Sequence, residues 1–203
     1  HEMYLRPFTL VETELYLNEN GFDYGRFDIC QLYMATGGVP YYLSLLNNSK
    51  SVAQNIDALF FGRDAHLNNE FERLFKSLFK KAEPYIQVIE TLASSVYGMS
   101  RDEIVEKTRI TSGSQLTLIL RDLENCDFIR HFRTRGKKIR ENQHIYQIID
   151  MFTMFHFRFC RKETTDENFW QNSINTPAVN AWAGLAFERI CFLHIPQIKK
   201  ALG

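Results

Sequence analysis

The sequence has no long apolar run. Its longest unbroken apolar stretches are four residues, as at Ala58–Phe61. A membrane-spanning helix needs about 20 mostly apolar residues, so none is expected and no membrane partner is implied. A basic–apolar–small leader is also missing, so no signal peptide is expected. Neither charge sign is in excess, with 24 Lys+Arg against 24 Asp+Glu. Global charge therefore argues for neither nucleic acid nor lipid. Cysteine is scarce: Cys30, Cys126, Cys160 and Cys191 lie far apart with no C-x-x-C pair. That excludes a disulfide framework and leaves reduced thiols in a cytoplasmic protein as the simplest reading. No complete catalytic signature is present: there is no G-x-x-x-x-G-K-[ST], H-E-x-x-H or G-x-S-x-G. His66, His131, His144, His156 and His194 lack metal-ligand spacing, so no metal site is expected.

What is present is an ordinary folded composition, 45% hydrophobic and 24% charged. Charge is uneven along it. Residues 1–60 hold seven acids and three bases, whereas residues 91–203 hold twelve and sixteen. The chain begins at His1 and stops inside an apolar-periodic segment, which reads as a piece of a longer protein.

Residues 7–80 read as helices joined by short turns. Gly21, Gly25 and Gly37-Gly38 punctuate them, and Val39-Pro40 starts a further helix, because proline suits the first helical position. Leu67–Phe79 places Phe71, Leu74, Phe75, Leu78 and Phe79 on one face. Residues 84–149 change character. Pro84 starts a helix, and Ser100-Arg-Asp-Glu103 is a capping box opening a second. Ser112-Gly-Ser-Gln115 reads as another box. The helix after it carries Leu116, Ile119, Leu120 and Leu123 as an apolar stripe. The pattern then turns β, with Asp127–Arg133, a turn at Arg135-Gly136-Lys137, and His144–Ile149. Helices followed by a hairpin are the order of a winged helix-turn-helix. Residues 150–169 are aromatic enough to form a buried helix, and Thr164–Pro177 reads as a polar connector. The expected fold is mainly α: a helical domain over 1–80, a winged helix with a small β-hairpin wing over 84–149, and a further start over 150–203.

Two places carry candidate chemistry. Residues 129–140 hold Arg130, Arg133, Arg135, Lys137, Lys138 and Arg140 and no acid. A wing so charged can lie against phosphates and release counterions. The helix before it offers Ser114, Gln115, Thr117 and Arg121, side chains that can donate to phosphates or bases. The other reading is a solvated hairpin tip in a domain used for protein contacts or self-association. Fold alone does not choose between double-stranded DNA and protein. The second place is Gly37, Gly38, Val39 and Pro40. Two glycines let backbone approach a ligand such as a nucleotide, or they simply link two helices.

Several stretches resemble the C-terminal part of archaeal-type P-loop ATPases, a branch of the AAA/STAND group. Leu5-Arg-Pro-Phe8 resembles the exit from the ATPase core. Tyr33-Met-Ala-Thr-Gly-Gly-Val-Pro-Tyr-Tyr-Leu43 resembles the lid motif with its G-x-P signature. Residues 84–149 match the winged helix in position. Asp150-Met-Phe-Thr-Met-Phe-His-Phe-Arg-Phe159 resembles the acidic–aromatic segment after the wing. Trp182-Ala-Gly-Leu-Ala-Phe-Glu188 resembles the start of a nuclease-like C-terminal domain. The resemblance implies a nucleotide-sensing lid at Gly37–Pro40 and a winged helix that contacts DNA. ATP and Mg²⁺ would be held by a Walker core in the parent protein. The Walker segments are not in this sequence, so no bound cofactor, no catalytic residue and no ATP hydrolysis are expected of this piece.

Overall fold

The computed structural model describes residues 6–133, 144–161 and 164–203. In chain order its elements are α1 (Leu10–Glu19), α2 (Arg26–Thr36), α3 (Pro40–Ser44), α4 (Val52–Phe60), α5 (Glu70–Leu78) and α6 (Glu83–Ala93). There follow β1 (Met99–Ser100), α7 (Arg101–Thr108), α8 (Ser114–Asn125), β2 (Ile129–Arg133) and β3 (His144–Ile148). The chain closes with α9 (Met151–Phe155), a π-helical turn (His156–Cys160), α10 (Phe169–Ser173), α11 (Pro177–Leu193) and α12 (Ile195–Leu202). The fold is mainly helical with one small antiparallel sheet. It divides into two compact units. One takes the chain up to Asn68 together with Arg158–Gly203, and the other is Asn69–Phe157. The sequence pattern puts the borders at 80, 84 and 150. The observed units put α5 in the second unit and return residues 158–203 to the first.

In the first unit, helix starts are set locally. The Thr9 hydroxyl accepts the Glu12 N–H, and the Glu12 carboxylate takes the Thr9 N–H at 2.8 Å. Ser51 and Gln54 repeat the device at α4. Each such cap satisfies donors that a helix end leaves unpaired. The core gathers Leu17, Leu32, Leu43, Ile56 and Trp170, all buried. The rings of Phe159, Trp170 and Trp182 pack edge to face, with centroids 5.1–5.9 Å apart. Asp57 is buried on α4 and joins distant parts of the chain. Its carboxylate accepts the Trp170 N–H at 2.6 Å, the Gln171 N–H at 3.1 Å and the Gln171 Nε2 at 2.9 Å. It thereby caps the start of α10 from 113 residues away. His194 is tied from both sides: its Nε2 accepts the Leu10 N–H at 3.0 Å, and its Nδ1 donates to the Ile190 carbonyl at 2.8 Å.

In the second unit the strands pair in the order β1-β3-β2, both pairings antiparallel. Met99 lies opposite Tyr146, Ile129 opposite Ile148, and Arg133 opposite His144. The stripe read from the sequence is the inner face of α8, with Leu116, Ile119, Leu120 and Leu123 buried. Val88, Ile89 and Leu92 of α6 are buried as well. The Ser100 box is formed as expected, with the Ser100 N–H donating to Glu103 at 2.7 Å.

Three local expectations are corrected. The second box at Ser112–Gln115 does not form: Gly113 is the N-cap of α8 and no side chain caps it. The Ser112 hydroxyl instead accepts from Arg101 Nε at 3.2 Å. Residues 164–177 are not merely a connector, since they contain α10 with its buried Trp170. The aromatic segment is not one α-helix either: it changes to π-helical winding at His156, while Phe152, Phe155 and Phe159 stay buried.

Candidate functional site

The first candidate place lies in the first unit. Gly37 and Gly38 both take positive φ, 67° and 70°. Gly37 ends α2 in the left-handed conformation that glycine adopts without steric cost. Gly38 is pressed against its own chain. A Cβ there would stand 2.4 Å from the Phe8 carbonyl oxygen and 2.6 Å from Cε2 of Tyr33. The Phe8 N–H donates to Gly38 O at 2.9 Å, and the Tyr33 hydroxyl donates to Phe8 O at 2.9 Å. Val39 then caps α3, which starts at Pro40 and lasts five residues. The close backbone approach anticipated at this turn is thus made to residue 8.

The second candidate place lies in the second unit. Ser114, Gln115, Thr117 and Arg121 are all exposed, as anticipated. Ser114, Thr117 and Arg121 follow helical spacing along the outer face of α8, opposite its buried stripe. Thr117 has less to offer than its residue type suggests. Its hydroxyl donates to Gly113 O at 3.2 Å and accepts from Arg101 Nη2 at 2.9 Å. Its one hydrogen is therefore already committed. Arg121 lies 3.6 Å from Asp122, an exposed pair worth little. Asp122 also accepts from the Tyr85 hydroxyl at 2.8 Å. Burial, and then that bond, push the Tyr85 hydroxyl up to about 12.

The basic residues of the hairpin separate. Arg130 is half-buried and donates twice to Gln147 Oε1, at 3.3 and 2.8 Å, with its guanidinium over the Phe132 ring. Gln147 passes its own Nε2 to the Val96 carbonyl at 3.0 Å. Arg130 is thus held within the sheet. Arg133 is exposed at the end of β2. Arg135, Lys137, Lys138 and Arg140 lie outside the described residues. Behind β2, His131 Nδ1 meets the Glu124 carboxylate at 2.5 Å, so this acid of α8 is paired with the hairpin.

Sequence reasoning missed Arg101. It opens α7, and its side chain spans to the turn before α8, donating to Ser112 O at 3.3 Å, Gly113 O at 3.1 Å and Thr117 Oγ1 at 2.9 Å. No sequence signal marks it, because an arginine after a serine cap is ordinary. Among the described residues no three His, Cys, Asp or Glu side chains gather to hold a metal, and no helix is long and apolar enough to cross a membrane.

No protein-family model matches the sequence, and no solved structure matches it. An uncharacterized protein of Methanocaldococcus jannaschii is 21% identical over 175 residues, which cover 85% of this chain and 39% of that protein. The chain therefore spans well under half the length of this relative.

Proposed function

We infer that the chain is the lid and winged-helix part of an ATP-binding protein of the AAA/STAND P-loop type, and that its second unit contacts double-stranded DNA. In this reading α6, α7 and α8 are the three helices of a winged helix, β1 is its short first strand, and β2 and β3 are the stems of the wing. The order of helices and the β1-β3-β2 pairing support that assignment. The observation that carries the DNA reading is the outer face of α8. Ser114, Gln115 and Arg121 stand exposed on the helix that would enter the groove, and Arg133 is exposed at the end of β2. By its resemblance to the lid motif the Gly37–Pro40 turn would sense nucleotide held by a Walker core outside this sequence, while its own glycine contacts are made to Phe8 and Tyr33.

A second reading, a protein-interaction module, has one observation in its favour. Leu118 on α8 and Phe132 on β2 expose apolar surface, 44% and 36%. Fluorescence anisotropy with a labelled random duplex, at about 50 and about 200 mM salt, separates the two. DNA contact through phosphates predicts binding that weakens steeply with salt. No binding at the lower salt, together with self-association of the chain, would favour the second reading.

A further inference from the structure

Arg101 differs from the arginines that form ion pairs, and from Arg130, which is held within the sheet by Gln147. Arg26, Arg63, Arg121 and Arg189 each meet a carboxylate, on Glu14, Glu167, Asp122 and Glu188. Arg101 meets none. Its four bonds go to two carbonyls and two hydroxyls, none of which carries a negative charge. On the same helix Asp102 follows directly and makes no ion pair with it, and Glu103 is turned to the N–H and hydroxyl of Ser100. All four Arg101 bonds use Nε and Nη2. Nη1 makes no hydrogen bond to the described residues, and the side chain is only half-buried. The anchored edge rests on Thr117, in the same outward stripe of α8 as Ser114 and Arg121.

We propose that Arg101 is a phosphate contact of this face, held to the chain by its Nε–Nη2 edge and offering Nη1 to a nucleic-acid phosphate. The assignment rests on the DNA reading above. An arginine usually loses its side-chain freedom when it binds, which opposes binding. Here the bonds to the α8 turn have already removed that freedom. A guanidinium with one edge tied and one edge free suits the planar donor geometry that phosphate recognition uses.

The test uses the whole chain and a labelled random duplex across a salt series, comparing the parent with Arg101→Gln and Arg101→Lys. Loss of one phosphate contact predicts that Arg101→Gln lowers the slope of log K against log salt by about 0.9 on duplex DNA. Arg101→Lys keeps the charge and should keep the slope. A residue that only braces the turn would leave the slope unchanged in both variants, and that result overturns the proposal. A parent chain that binds no duplex overturns the DNA reading, and this assignment with it. Binding by the parent with an unaltered slope in Arg101→Gln overturns the assignment alone. If Arg101→Gln does not fold, the side-chain Nε–H resonance of Arg101 in the parent decides the matter. It should shift on adding a short duplex, and an unmoved resonance sinks the proposal.

Discussion

Two of the helices that follow glycine-bearing turns make a pair: α3 after Gly37-Gly38 in the first unit, and α8 after Gly113 in the second. In sequence they look alike, a small residue just ahead of an apolar-periodic segment. Physically they are opposites. At Gly38 the backbone is left-handed, and a Cβ would collide with Phe8 and Tyr33. At Gly113 φ is −93°, and nothing lies within 4 Å of where a Cβ would stand. The first glycine is required by the fold. The second is not, and the helix it precedes is steadied by an arginine from the neighbouring helix. The contrast teaches that a glycine turn indicates a ligand only after its internal contacts have been counted. The first turn is engaged with its own chain, whereas the face beside the second is open.

The strongest way to break this contrast is Gly38→Ala. A left-handed non-glycine residue costs about 1–2 kcal/mol, and overpacking adds about 1–3 kcal/mol. The first unit should lose about 2–5 kcal/mol by these terms together. Urea unfolding followed by tryptophan fluorescence reads it directly, because both tryptophans, Trp170 and Trp182, lie in that unit. A loss well below 1 kcal/mol would mean that residue 8 moves aside freely and that the turn is not locked.

Ser100→Ala gives a smaller effect and compares a capped helix start with the uncapped one at Gly113. Losing such a cap costs about 1 kcal/mol at neutral pH. The backbone N–H and then the hydroxyl of Ser100 hold the Glu103 carboxyl below the usual carboxylate range. A carboxyl lowered in the folded state stabilises above its unfolded pKa, and that contribution is lost as pH falls through the folded value. The difference between parent and Ser100→Ala should therefore be largest near neutrality. It should shrink below the ordinary glutamate pKa of about 4.3. Urea unfolding followed by circular dichroism at both pH values checks this, and a difference that grows in acid would refute it.

The smallest effect is Gly113→Ser. The site has room and an ordinary φ, and a serine oxygen can take an N–H of the first turn. A gain of a few tenths of a kcal/mol is expected from the better cap. A loss of about 1 kcal/mol instead would place Gly113 alongside Gly38 and erase the contrast.

What was legible in the sequence was what local spacing encodes. Leu116, Ile119, Leu120 and Leu123 declare the inner face of α8 by themselves, and Ser100 with Glu103 declares the start of α7. What escaped was encoded across distance. The helix α10 has no serine or threonine cap of its own, because Asp57 caps it from α4. The expected box at Ser112 looked right locally but lost its hydroxyl to Arg101. Thr117 and Arg130 are available donors by residue type alone, and in the fold they donate to Gly113 and Gln147. The outward side chains of α8 are legible because a buried stripe fixes which residues point the other way.

The bond from Asp57 to Trp170 also sets an order in time. On a ribosome adding roughly 5–20 residues per second, Asp57 waits on the order of ten seconds for a partner 113 positions behind it. The whole of 69–157 emerges in that interval, and its contacts are sequence-contiguous. The later-starting unit is therefore able to close first. The earlier one must hold α1 to α4 without Trp170 and Trp182, leaving apolar surface uncovered until the chain returns. Closing so wide a loop costs little more entropy than closing a shorter one. The burden of this topology is delay, and it falls on α1 to α4, which are synthesised before residues 69–157.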